Sequence, residues 1–272
     1  MYKRQEGRVS QEEAEEIAQE ILEKTWRSLP EQAVERGGRV PSRGTIGRGR
    51  RGGVSGGSNT GKERALNEDA LFMSISDVQG EIHYYRGRKV VPVGDLGRRT
   101  ELYIVADGMG GHASGEIAST MTVETASRRF YDPQFLPGQP SKERLVVALR
   151  EANGEVYNRL GGRGGTTFTG AILEGDQLTV VHVGDSRAYL LDPRGRLKQL
   201  TTDHSLSPSV ITRAVGSRPT VQPDIYFSRI KGGEKLLLCS DGLTNYVTAV
   251  SYTHLRAHET RHDLVCRLLL EK

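Results

Sequence analysis

The sequence predicts an α+β fold, a layered sandwich of antiparallel strands covered by two helices from the middle of the chain. Three observations carry this. From about residue 54 onward, short β-rich apolar runs alternate with turn signals. Two longer stretches in mid-chain switch to helical spacing, and the strands around them are joined by links too short for parallel crossovers, such as Asp192-Pro193-Arg194-Gly195.

In chain order, the first element is an amphipathic helix over 10–28. Ser10 and Glu13 form a capping-box signature, and Ala14, Ile17, Ala18, Ile21, Leu22 and Trp26 fall on one face. It is assigned to a helical segment spanning 1–35. Residues 36–53 hold seven glycines among eighteen positions and show no periodicity, the composition of a flexible linker. Strands are expected at 70–76, 81–85, 102–106, 166–173, 177–183, 188–192, 225–230 and 235–239. The helices between them are expected at 115–130, through Ile117, Ala118, Met121 and Thr125, and at 142–160, through Leu145, Leu149, Ala152, Val156 and Leu160. The insertion 84–97, rich in arginine and lysine, is either a flap facing a substrate or a solvated surface hairpin.

Composition narrows the function classes. The 272 residues are 36% hydrophobic and 26% charged, enough for one substantial core. No apolar run reaches the length of a membrane span and the start carries no hydrophobic leader, so a cytoplasmic protein without a membrane partner is expected. Cys239 and Cys266 are too few for a disulfide framework or a thiolate metal site. The net charge of +4 suggests nucleic acid at first sight, but Arg36, Arg39, Arg43, Arg48, Arg50 and Arg51 supply more than all of it. The remainder is mildly acidic, and no nucleic-acid partner is expected.

Four acidic clusters each close an apolar β run beside glycine or a turn: Asn67-Glu68-Asp69, Asp107-Gly108, Gly184-Asp185-Ser186-Arg187 and Ser240-Asp241-Gly242. One Asp-Gly alone would be a turn signal. Four at strand ends would gather carboxylates at one rim, where they repel unless protonated or neutralised. Oxygen-only ligand sets suit hard cations such as Mg²⁺ or Mn²⁺.

In order and spacing, residues 54–247 resemble the PPM (PP2C-type) protein phosphatases. The matching blocks are Arg64-x-x-Asn67-Glu68-Asp69, Asp107-Gly108-Met109-Gly110-Gly111-His112-x-x-Gly115-Glu116, Gly165-Thr166-Thr167, Gly184-Asp185-Ser186-Arg187, Thr202-Asp203-His204 and Ser240-Asp241-Gly242. The resemblance implies a four-layer α-β-β-α sandwich of two antiparallel sheets with a metal centre in a cleft at one end. It implies that Asp107 bridges two Mn²⁺ or Mg²⁺ ions, that the Gly108 carbonyl binds one and that Asp241 holds the other. Glu68 and Asp69 would act through bound waters, Asp185 with Asp241 would form a weaker third-metal site, and Arg64 would grip the substrate phosphate. The catalytic set implied is thus Arg64, Asp107 and Asp241. Met109 stands where many eukaryotic relatives carry a histidine proposed as general acid. His112, Thr166, Thr167, Ser186, Arg187 and His204 are read as hydrogen-bonding supports.

The chain departs from the family after Val247. The Asp-Asn block that supplies a last direct ligand is missing, and 248–272 is similar to translated sequencing adapter, as is 1–5. The domain is therefore expected to be incomplete, with C-terminal elements missing, an unpaired sheet edge, weakened metal binding and impaired activity. Three functions follow from the resemblance. The first is a phosphatase acting on phosphoproteins made by serine/threonine kinases, and the second a regulatory member acting on an anti-sigma-factor antagonist. The third is a noncatalytic binding module.

Overall fold

The computed structural model describes residues 45–49, 52–57, 68–75, 78–84, 87–93, 100–110, 113–194, 197–207, 210–242 and 267–271. The strands in chain order are β1 (Thr45–Gly49), β2 (Gly52–Gly57), β3 (Asp69–Ser74), β4 (Gln79–Tyr84), β5 (Gly87–Pro92) and β6 (Thr100–Met109). Helices α1 (Ala113–Tyr131) and α2 (Ser141–Leu160) follow. Then come β7 (Gly165–Thr166), β8 (Phe168–Glu174), β9 (Gln177–Val183), β10 (Arg187–Leu191), β11 (Leu197–Gln199), β12 (Ser205–Ser207), β13 (Val210–Ile211), β14 (Asp224–Arg229), β15 (Lys235–Cys239) and β16 (Arg267–Glu271).

Two antiparallel sheets stack face to face. One runs β14-β9-β8-β6-β3-β4-β5 with β7 beside β6; the other runs β1-β2-β16-β15-β10-β11. Strand alternation divides the core in two. Ala70, Phe72, Leu102, Ile104, Phe168, Ile172, Val181 and Val183 face the helices and pack with Val123, Phe130, Leu145 and Leu149. Their neighbours Leu71, Met73, Tyr103, Val105, Ala171, Leu178 and Val180 face the second sheet and meet Ala188, Leu190, Leu236 and Leu238. Each such large side chain, fully buried, contributes roughly 1.5–3 kcal/mol.

Helix α2 starts after Pro140, whose φ of −56° and ψ of 148° are extended and whose ring lacks the N–H a helix start would leave over. It stops at Gly161 in the left-handed region, φ 60°, whose N–H returns to Tyr157 O at 2.7 Å. Helix α1 is closed by a side chain from α2. The buried Arg144 guanidinium donates to the carbonyls of Phe130, Asp132, Phe135 and Leu136, at the end of α1 and in the loop after it.

The α+β sandwich and both mid-chain helices follow the sequence. Of the four expected layers, three lie among the described residues, where no helix covers the outer face of the six-stranded sheet. Two expectations need correction. Part of the glycine-rich 36–53 stretch is not linker: Thr45–Gly49 pairs with Gly52–Gly57 in a hairpin. The 248–272 tail is not wholly outside the sheet either, because Arg267–Glu271 pairs with β15 on one side and β2 on the other. β15 is therefore paired on both sides, with β10 and with β16. Strand addition needs only backbone groups in register, which glycine-rich or uniformly apolar segments supply without an alternating signature. The insertion at 84–97 contributes the β4–β5 hairpin. Among its described residues, Arg88 pairs with Glu81 at 3.4 Å and Lys89 with Glu124 at 3.2 Å. The 10–28 helix lies outside the described residues.

Candidate metal centre

The register of β3 on β6 sets Asp69 directly opposite Asp107. Both continue the alternation of Leu71, Met73, Tyr103 and Val105, so both carboxylates fall on the face toward the second sheet. Asp185 lies in the turn between β9 and β10, and Asp241 comes two residues after the end of β15, which pairs Cys239 with Arg187 at the start of β10. Four chain segments from two sheets thus deliver carboxylates to one end of the sandwich.

The Asp107 backbone is fixed by β7 and the start of β8. Asp107 N–H donates to Thr167 Oγ1 at 2.9 Å, while its carbonyl accepts from Thr167 N–H and from Thr166 Oγ1, each at 2.8 Å. Thr167 Oγ1 is also 2.7 Å from Ser186 Oγ, and Ser240 Oγ donates to Asp69 Oδ2 at 3.4 Å. These hydroxyls tie the strands that carry Asp69 and Asp107 to the segments that carry Asp185 and Asp241. Gly108 N–H donates to Glu68 O at 3.1 Å. A Cβ on Gly108 would strike Gly115 O and stand 2.6 Å from Glu68 O, so only glycine lets the three segments close here. The Glu68 carboxylate lies against Gly115 in the first turn of α1, where the helix dipole favours negative charge.

Electrostatics single out the same group. Burial pushes the Asp107 carboxyl well above the usual range, and Asp69, Asp241 and Asp185 add to the shift. Burial, then Asp241 and Asp203, pushes Asp185 up to about 6. The set converges without forming a finished cage: among the described residues, no group of three His, Cys, Asp or Glu side chains is already arranged around one metal position. The donors are all oxygen, and their mutual repulsion favours a hard divalent cation over a thiolate or imidazole metal.

The structure thus brings together Glu68, Asp69, Asp107, Gly108, Asp185 and Asp241 of the sequence-derived set. Arg64 and His112 lie outside the described residues. Thr166, Thr167 and Ser186 support the rim as expected, and Arg187 forms a two-oxygen ion pair with Asp203, with contacts of 2.6–3.0 Å. Sequence reasoning missed His182, Thr169, Arg213 and Asp224. His182 was detectable, since it shares a strand face with Leu178 and Val180 and is a polar group aimed into a core. Its Nδ1 is 3.0 Å from Thr169 Oγ1, and burial, with His204 beside it, pushes its imidazole down to about 3.

Residues 95–269 match the family model described as Protein phosphatase 2C. The serine/threonine phosphatase stp of Listeria monocytogenes is 36% identical, over 54% of this chain and 68% of the relative. The serine/threonine protein phosphatase PstP of Mycobacterium tuberculosis is 34% identical, over 54% of this chain and 32% of the relative. Among solved structures, a serine/threonine phosphatase of S. agalactiae superposes with a TM-score of 0.60 at 25% identity, covering 80% of this chain and 99% of that one. The catalytic domain of a PstP, solved with two manganese ions, superposes with a TM-score of 0.54 at 25% identity, covering 79% of this chain and 95% of that one.

Proposed function

We propose, for a chain that belongs to the protein phosphatase 2C family, that it hydrolyses phosphoserine and phosphothreonine on proteins by attack of water on phosphorus, with Mn²⁺ or Mg²⁺ as cofactor. The observation that carries this is the convergence of Asp69, Asp107, Asp185 and Asp241 from both sheets, with Asp107 raised by all three others. Divalent cations held by these carboxylates would supply a water of lowered pKa and stabilise the charge that develops on phosphorus.

The residues divide the work. Asp107, held at three backbone hydrogen bonds, would hold the cations together with the Gly108 carbonyl and Asp241. Glu68 and Asp69 would hold water in place around them, and Asp185 with Asp241 would take a weaker third ion. Arg64 would fix the phosphoryl oxygens with its guanidinium fork. The water forms a new bond to phosphorus and gives up a proton, while the bond to the seryl or threonyl oxygen breaks and that oxygen takes a proton up, so neither a covalent phosphoenzyme nor a nucleophilic cysteine is required. Cys239 is fully buried, and burial pushes its thiol up to about 12, which suits a packing role.

The proposed substrates are proteins phosphorylated by serine/threonine kinases, in cytoplasmic signalling, with 54–247 as the catalytic region. No helix among the described residues is long and apolar enough to cross a membrane. The test is hydrolysis of p-nitrophenyl phosphate and of a phosphothreonine peptide in Mn²⁺, Mg²⁺ or EDTA. Activity should need a divalent ion and fall more than roughly hundredfold in Asp107→Ala, beyond the loss typical of supporting groups. A folded protein inert with every metal, or an Asp107→Ala variant as active as wild type, would refute the reading.

A further inference from the structure

The turn that presents Asp185 is clamped by a histidine twenty positions downstream. Gly184 has φ 108°, and a Cβ there would stand 2.7 Å from Thr167 Cγ2, so Thr167 closes one side of the turn. His204 closes another with a reciprocal pair of bonds. Its backbone N–H donates to Gly184 O at 2.7 Å, and its Nδ1 lies 3.1 Å from Gly184 N. An amide nitrogen can only donate, so Nδ1 is the acceptor, and a neutral imidazole with an accepting Nδ1 carries its proton on Nε2.

The opposite side of the ring supplies the partner this tautomer needs. His204 Nε2 is 3.0 Å from Asp224 Oδ2, and Asp224 Oδ1 accepts from Arg213 Nη1 at 2.6 Å. Arg213 also donates to Gln222 O at 3.3 Å, and His204 O accepts from Thr212 N–H at 2.7 Å. Arg213, Asp224, His204 and Gly184 therefore form one relay of matched donors and acceptors ending on the peptide beside Asp185. His204 is 6% exposed, and the neighbouring His182 ring lies 4.9 Å away, so water competes little for these bonds.

We infer that His204 is a positioning residue, fixed as its Nε2–H tautomer by Asp224, that holds Gly184 so that Asp185 reaches the carboxylate rim and thereby sets the affinity of the cation site shared by Asp185 and Asp241. The cation clause rests on the proposed function; the tautomer does not. A residue that only supported the fold would change stability and leave the order of metal affinities alone.

Two measurements test this on the full chain. Imidazole ¹⁵N shifts of the metal-free protein should show His204 as the Nε2–H tautomer, and an Nδ1–H tautomer would overturn the relay. Mn²⁺ titration followed by the paramagnetic resonance of the free ion should then resolve the weakest equivalent. His204→Ala and Asp224→Ala should each weaken it roughly tenfold to a hundredfold, the range for groups that orient ligands, and leave tighter equivalents in place. Asp224→Asn, whose carbonyl oxygen still accepts from Nε2–H, should recover most of the loss. Asp224→Ala removes a partly exposed side chain and carries the same test should His204→Ala fail to fold. Unchanged Mn²⁺ binding in a folded His204→Ala or Asp224→Ala variant overturns the positioning role. Unchanged binding in Asp185→Asn overturns the cation clause alone and leaves the tautomer result intact.

Discussion

Replacing Asp185 with asparagine should stabilise the metal-free protein at neutral pH. Asp185 is 8% exposed and its carboxyl titrates near 6 in the fold, against 3.8 in an unconstrained chain. The folded state therefore binds this proton more tightly than the unfolded state does. The stability contributed by the group is complete below the unfolded value and is lost as pH rises through the folded one. A difference of about two units corresponds to about 3 kcal/mol above pH ~6. Asparagine cannot ionise and escapes that loss. In EDTA, urea unfolding followed by circular dichroism should place Asp185→Asn above wild type by up to about 3 kcal/mol near pH 7.5, the gap closing toward pH ~4. Excess Mn²⁺ should reverse the order. Wild type then gains binding energy at this site, about 4.1 kcal/mol at a thousandfold excess over Kd, which exceeds the gap and which the variant lacks. A variant no more stable than wild type in EDTA near neutral pH, or a gap that persists at pH ~4, would refute the idea that buried like charge is what raises Asp185.

Two further substitutions probe the frame around the site. Arg144→Met keeps much of the side-chain volume but leaves the carbonyls of Phe130, Asp132, Phe135 and Leu136 without their shared donor, and it frees Leu136 from its left-handed φ of 49°. A loss of roughly 3 kcal/mol in chemical denaturation is expected, and a loss under about 0.5 would show that water replaces the guanidinium. Thr167→Val preserves shape and removes the acceptor of Asp107 N–H and the partner of Ser186 Oγ. It should cost about 1–3 kcal/mol of stability and lower turnover in Mn²⁺, and wild-type values for both would show that the Asp107 strand is held without it.

The cores and the chemistry of the site were legible in the sequence for different reasons. Short β-rich apolar runs along 70–76, 102–106 and 177–183 marked strands with two buried faces, because a pleated strand sends successive side chains to opposite sides and both sides here are covered. The pairing of Asp69 with Asp107 was not legible, although both were named, since register belongs to two segments at once. Asp224 carried no signal. Its role exists only because β14 lies beside β9 and brings it within 3.0 Å of His204. Arg144 carried no signal either, and its burial under the loop after α1 depends on how that loop folds back.

By itself the sequence determined the α+β class, the two mid-chain helices and the identity of the carboxylates, because periodicity and residue type are local properties of a chain. Only the tertiary structure decided that Thr45–Gly49, Gly52–Gly57 and Arg267–Glu271 join the six-stranded sheet, that Thr167 rather than a turn fixes Asp107, and that His204 faces Gly184. Those relations depend on hydrogen-bond partners and shared burial between segments far apart in the chain, and no window of local sequence contains both halves of such a contact.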